Sequence, residues 1–221
     1  MKLLVINPNS DDSFTALIGE AARKAAAPGT EVLCESAPGA PRFIETHEDD
    51  ILCAPGMFEL LKRHTDVDAF VVACTCDPNI DALREKTDKP VVGAGEASML
   101  FALPLGATFS VIQTTEGSVQ KKRELVRKYG LQDRCASVRA IDEKSDAPRE
   151  EKLAAAAMRA RDDDGAEVVT LGCAGLAGLD KRLERTLGIP VIDGIVAAVK
   201  LAEALAARGS FTSRRGKYSG L

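Results

Sequence analysis

Two cysteines stand where a cysteine can do chemistry. Asp68-Ala-Phe-Val-Val-Ala-Cys74 and Ala166-Glu-Val-Val-Thr-Leu-Gly-Cys173 are apolar, strand-like runs that each end at a cysteine and turn toward a helix. A helix N-terminus beside a sulfur favours the thiolate, so both residues can carry protons near neutrality. Two such groups on opposite faces of one carbon invert it, one thiolate removing a proton and the other thiol returning one to the far face. Either cysteine alone reads as a small buried hydrophobe. The matched placement of the two is what points to acid and base.

Other side chains gather at comparable strand ends. The first apolar run closes on Asn7-Pro8-Asn9-Ser10, whose amides can both donate and accept toward a ligand or, alternatively, cap a helix. Thr114 and Thr115 follow a later run in the same way, with Ser118 as a candidate N-cap. Thr75 and Cys76 after the first cysteine, and Ala174 and Gly175 after the second, can offer hydroxyl and backbone donors to negative charge developing on a carbonyl oxygen. Cys74-x-Cys76 is half of a metal site, but no matching Cys or His pair exists elsewhere, so no metal is expected. Cys34, Cys53 and Cys135 read as packing residues, and His47 and His64 as surface residues in polar stretches.

The elements that must position these residues alternate along the chain. Strand-length apolar runs lie at 3–6, 69–73, 90–92, 109–112, 168–171 and 190–192. Between them come long Ala-, Lys- and Glu-rich stretches such as 13–27, 118–129, 149–161 and 194–208. That alternation builds βαβ units with parallel strands.

The pattern also repeats. Cys74 and Cys173 lie 99 residues apart, Lys89-Pro-Val-Val-Gly93 and Ile189-Pro-Val-Ile-Asp193 lie 100 apart, and Leu4-Val-Ile-Asn-Pro-Asn9 matches Ser110-Val-Ile-Gln-Thr-Thr115 at 106. Three matches in one order imply two homologous α/β halves related by pseudo-two-fold symmetry. We expect a first half over 1–103, joined by a C-terminal helix at 199–208, a second half over 104–198, and a solvated basic tail at 209–221. The ligand site is then expected in the cleft at the carboxyl ends of the strands.

Composition narrows the function classes. The chain has 221 residues, a formal charge of −4 and 45% hydrophobic residues, which is ordinary globular usage. Its acidic pI of about 5.4 argues against nucleic acid, whose binding needs a basic excess. No apolar window nears the roughly 18 residues of a membrane span. Six cysteines without a CxxC pair read as reduced cytoplasmic thiols, and GxGxxG and GxxxxGK[ST] are both lacking. We therefore expect a cytoplasmic protein acting on a small molecule, with no nucleic acid, membrane, metal or other cofactor, and associating with copies of itself.

The motifs Ile6-Asn-Pro-Asn-Ser10, Ala73-Cys-Thr-Cys-Asp-Pro78, Pro90-Val-Val-Gly-Ala-Gly-Glu-Ala97, Leu171-Gly-Cys-Ala-Gly175 and Pro190-Val-Ile-Asp193 span nearly the whole chain. In this order the chain resembles the aspartate/glutamate/hydantoin racemase family, on the side of its hydantoin and allantoin racemases. The resemblance implies cofactor-independent racemisation by two cysteines, here Cys74 and Cys173, in a two-domain fold, with Asn9 contacting substrate. The chain departs from the hydantoin branch just after Cys74, where an aromatic residue and a glycine are common and Thr75-Cys76 stand instead. Hydantoin, allantoin and amino-acid substrates thus stay open. Maleate cis-trans isomerases and arylmalonate decarboxylases share the fold; a decarboxylase uses one cysteine, so two favour racemisation. A binding protein without catalysis is the reading from another class.

Overall fold

The computed structural model describes residues 1–219; Gly220 and Leu221, at the end of the expected tail, lie outside them. The chain divides into two compact α/β units, Met1–Ala94 together with Ile195 onward, and Gly95–Gly194.

In the first unit, β1 (Lys2–Asn7), α1 (Asp12–Ala25), β2 (Glu31–Ser36), α2 (His47–Arg63), β3 (Ala69–Val72), α3 (Ile80–Lys86) and β4 (Val91–Gly93) form a four-stranded sheet in the order β2-β1-β3-β4. The second repeats the plan. There α4 (Ala94–Ala102) leads into β5 (Phe109–Gln113), α5 (Ser118–Lys128), β6 (Cys135–Ala140), α6 (Arg149–Asp162), β7 (Val168–Leu171), α7 (Asp180–Leu187) and β8 (Val191–Ile192), in the order β6-β5-β7-β8. Every pairing is parallel. The last helix, α8 (Gly194–Ala207), belongs from Ile195 to the first unit.

Burial explains why the central strands read as unbroken apolar runs. A parallel sheet is covered by helices on both faces, so each residue of a central strand meets a core. In β1, Leu4 and Ile6 pack with Met57, Leu60 and Leu83 from α2 and α3, while Leu3 and Val5 are equally buried on the opposite face. In the second unit Ile112 joins Leu153, Ala157 and Leu183, and its neighbour Val111 joins Val119, Leu125 and Val138. Met99 and Ala102 of α4 also pack there against Phe109 and Val168, although they precede residue 104.

Residues 213–217 of the tail are exposed, yet the segment 212–218 is docked on the first unit by hydrogen bonds. Thr212 donates its backbone N–H to Asp88 O (2.6 Å) and its hydroxyl to Lys89 O (3.0 Å), and Tyr218 donates to the Asp81 carboxylate (2.9 Å). Arg214 donates to the Asp88 carboxylate at 2.5 Å and to the carbonyls of Arg84 and Glu85 at the end of α3. Cations are favoured at a helix C-terminus, which is the signal that charge composition alone conceals.

Loop and helix meet most tightly at Gly56 in α2. A Cβ there would lie 2.3 Å from Pro38 O and 2.9 Å from Ala37 C, both backbone atoms that cannot swing aside. We expect Gly56→Ala to destabilise the fold by about 1–3 kcal/mol, lowering the thermal midpoint by several degrees. An unchanged midpoint in a calorimetric scan would contradict that contact.

Candidate active site

The site residues lie at the carboxyl ends of β1 and β3 in one unit and of β5 and β7 in the other. In each sheet these two strands are neighbours whose outgoing chains turn opposite ways, the place where open α/β sheets bind ligands. The junction is built alike in both units. Ala73 N donates to Ile6 O, and Gly172 N to Ile112 O, both at 2.8 Å. Ala37 N donates to Asn7 O (2.8 Å), and Ile141 N to Gln113 O (3.0 Å).

After each cysteine the chain makes the same turn. Asp77 N donates to Cys74 O, and Leu176 N to Cys173 O, each at 3.0 Å. Both cysteines are half-buried. The helices expected beside the sulfurs start further on, at Ile80 and Asp180; a short 3-10 turn, Ala174–Leu176, follows Cys173 instead. The amides of Ala174 and Gly175 head that turn and donate to no acceptor among the described residues. First-turn N–H groups of this kind are open to a ligand oxygen.

A carboxylate stands at the corresponding place in each unit, contributed from opposite sides. In the first unit the buried Asp77, at φ +49°, lays its carboxylate where a Cβ of Gly93 would be, 2.4 Å from that point. In the second, Asp193 occupies the position matching Gly93 and accepts from Gly178 N (2.7 Å) in the loop after Cys173.

Asn7 and Asn9 lock together. Asn7 Nδ2 donates to Asn9 Oδ1 (2.8 Å) and Thr15 Oγ1 (2.9 Å), and Asn7 Oδ1 accepts from Asn9 N (3.3 Å). Asn9 Oδ1 accepts also from Asp11 N (3.0 Å), which leaves Asn9 Nδ2 as its side-chain donor without a partner among the described residues. Asn7 therefore positions Asn9. Ser10 is exposed, Thr75 is buried, and Cys76 and Thr114 are half-buried. Thr115 Oγ1 donates to Ser118 Oγ (3.1 Å).

Some expected roles move. Ser118 is the first residue of α5 rather than its cap, and its hydroxyl faces Gln113 Oε1 (3.1 Å) and Thr115 O (2.8 Å). The cap of α1 is Asp11, which accepts from Ser13 N and Phe14 N. His64 is not a surface residue, for its side chain is 14% exposed with Nε2 2.8 Å from Glu35 Oε1, though off hydrogen-bonding geometry. His47 is exposed. Among the described residues no three His, Cys, Asp or Glu side chains are grouped to hold a metal ion. No helix there is long and apolar enough to cross a membrane. Gln113 escapes the sequence reading although the repeat sets it opposite Asn7.

All six cysteines are thiols, in unlike settings. Cys53 is buried inside α2 and donates to Asp50 O (3.3 Å). Burial pushes the Cys34 and Cys135 thiols up to about 11. At pH 8 roughly one in a thousand of either is ionised. Alkylation of both by iodoacetamide, followed by mass spectrometry, should rise about tenfold per pH unit from about 8 to 10, because the thiolate is the reacting form. Fast labelling at pH 8 would refute this burial. The folded state holds these two protons more tightly than the unfolded chain does, so the stability they contribute falls as pH rises from about 8.5 toward 11.

Comparison with known proteins gives this α/β fold its class, an isomerase of the racemase type. Residues 3–202 match the model of the Asp/Glu/Hydantoin racemase family. A hydantoin racemase of Pseudomonas sp. (strain NS671) is 40% identical over 226 residues, covering 99% of this chain and 91% of its own. An allantoin racemase structure from Klebsiella pneumoniae matches with a TM-score of 0.94 at 38% identity, over 100% of this chain and 94% of that one. Another, from Pseudomonas fluorescens, matches at 0.93 and 33%, over 100% and 97%. The chain belongs to the Asp/Glu/hydantoin racemase family.

Proposed function

We propose that this racemase inverts C5 of a 5-substituted hydantoin ring, allantoin included, with Cys74 and Cys173 as its two proton carriers. C5 lies next to the C4 carbonyl, so removing its proton places negative charge on O4 as an enolate. One cysteine, as thiolate, takes the C5 proton; the other, as thiol, gives its proton to the opposite face. The cysteines end the step with exchanged protonation states, ready for the reverse reaction. Donors at Ala174, Gly175 and Asn9 Nδ2 suit the ring oxygens, where hydrogen bonds stabilise developing charge. The protons move between thiols and carbon, so neither pyridoxal phosphate nor a metal takes part.

The observation that carries this reading is the duplicated junction, in which each unit sets a half-buried cysteine on the same turn at the same strand end. Full-length similarity to named hydantoin and allantoin racemases supports the ring as substrate.

The test is polarimetry in deuterated water with both enantiomers of 5-methylhydantoin and of allantoin, with aspartate and glutamate alongside and enzyme-free controls for spontaneous racemisation. Rotation should decay from either enantiomer of a hydantoin with one deuterium gained at C5, and EDTA should leave the rate unchanged. Racemisation of the amino acids alone would overturn the substrate. Activity lost to EDTA and restored by a divalent ion would overturn the mechanism.

A further inference from the structure

We infer that Gln113 is a substrate-binding, specificity-determining residue that donates a hydrogen bond from its side-chain amide to a ring carbonyl oxygen on the Cys173 side; this rests on the hydantoin reading above.

Gln113 closes β5 as Asn7 closes β1, yet the two amides are used differently. Every polar atom of the Asn7 side chain is engaged within the protein, holding Asn9 and Thr15. In Gln113, Oε1 accepts from Ser118 Oγ, while Nε2 is buried without a partner and the residue is only 2% exposed. A buried N–H left without an acceptor is costly, and native proteins keep few of them. Where one persists beside a reacting group, an acceptor that arrives with the ligand explains it.

Its location supplies that reacting group. Nε2 lies 2.4 Å from where a Cβ of Gly172 would stand, and Gly172 immediately precedes Cys173. The missing side chain at 172 is therefore the space the amide occupies, laid against the backbone that carries the sulfur. Ser118 sits behind the amide, its single hydroxyl proton shared between Gln113 Oε1 (3.1 Å) and Thr115 O (2.8 Å). A hydantoin ring offers carbonyl oxygens at C2 and C4, and a neutral amide donor suits either without imposing charge on C5.

The experiment compares wild type with Gln113→Met on 5-methylhydantoin and on its 2-thio and 4-thio analogues, whose thiocarbonyl sulfur is the weaker acceptor. Thermal unfolding of each variant is followed alongside. On the oxygen substrate, kcat/KM should fall roughly ten- to hundredfold. For the thio isomer altered at the contacted position the fall should be at least about fivefold smaller, so the preference for oxygen shrinks, and the affected isomer names the carbonyl. Equal losses on all three substrates, or no loss, would overturn the contact and leave a packing role. If Gln113→Met does not fold, Gln113→Asn, which withdraws the amide by one methylene, is judged by the same ratio. A wild-type protein inactive on every hydantoin overturns the proposed function, and this contact with it; an active wild type with an unchanged ratio overturns the contact alone.

Discussion

Cys74→Ser and Cys173→Ser are each expected to lower racemisation of both enantiomers by roughly 10²–10⁴-fold, the contribution of a positioned proton carrier. Serine preserves shape and removes the chemistry, because an alkoxide is not formed at neutral pH without a base to activate it. Racemisation needs a donor and an acceptor in either direction, so one substitution stops both. Exchange of the C5 proton with solvent needs only the acceptor. Each variant should therefore still wash deuterium into one enantiomer, by way of its surviving thiolate, and the favoured enantiomer should switch between the two variants. The readout is nuclear magnetic resonance of each pure enantiomer in deuterated water. Two variants that exchange the same enantiomer would mean the cysteines do not flank one carbon. Cys76→Ser is the control, expected to keep most of the activity; a dead Cys76→Ser would relocate the first proton carrier.

The parts of this design that the sequence makes legible are those governed by burial and repetition. The four central strands, β1, β3, β5 and β7, stand out because both of their faces are covered, as in Phe70-Val-Val72 and Val168-Val-Thr-Leu171, and the short, largely buried edge strands β4 and β8 stand out with them. The other two edge strands, β2 and β6, pass unnoticed. Glu31-Val-Leu-Cys-Glu-Ser36 and Cys135-Ala-Ser-Val-Arg-Ala140 are half-exposed, so they carry polar side chains and lack the apolar run that marks a strand. Cys74 and Cys173 are legible through their spacing and their place at strand ends, and Asn9 through its motif. Which amides stay open is not legible, because it depends on hydrogen bonds across the junction. Nothing in the letters distinguishes Asn7, consumed in holding Asn9, from Gln113, which keeps a donor in reserve. The docked tail is hidden for a similar reason, since Arg214 and Lys217 read as solvated charge until Asp88 and Asp81 are placed beside them.

Gly172→Ala should show how closely the second cysteine depends on its preceding residue, with an expected loss of about 10²-fold or more in racemisation. A Cβ at 172 would stand 2.4 Å from Gln113 Nε2, 2.7 Å from Ile112 O and 2.8 Å from Gln113 Cδ. The amide could move, but the Ile112 carbonyl is held in the sheet and accepts from Gly172 N itself. The chain at 172 must therefore shift and carry Cys173 with it. A displacement of about 1 Å at a reacting group costs about a hundredfold in rate. The loss should be unequal at the level of proton exchange. The enantiomer deprotonated by Cys173 should slow the most, while its mirror image, deprotonated by Cys74, should slow only by what displacing the Gln113 amide costs, roughly ten- to hundredfold. Equal slowing of both enantiomers, with an unchanged thermal midpoint, would show that the alanine acts through substrate binding rather than through the position of Cys173.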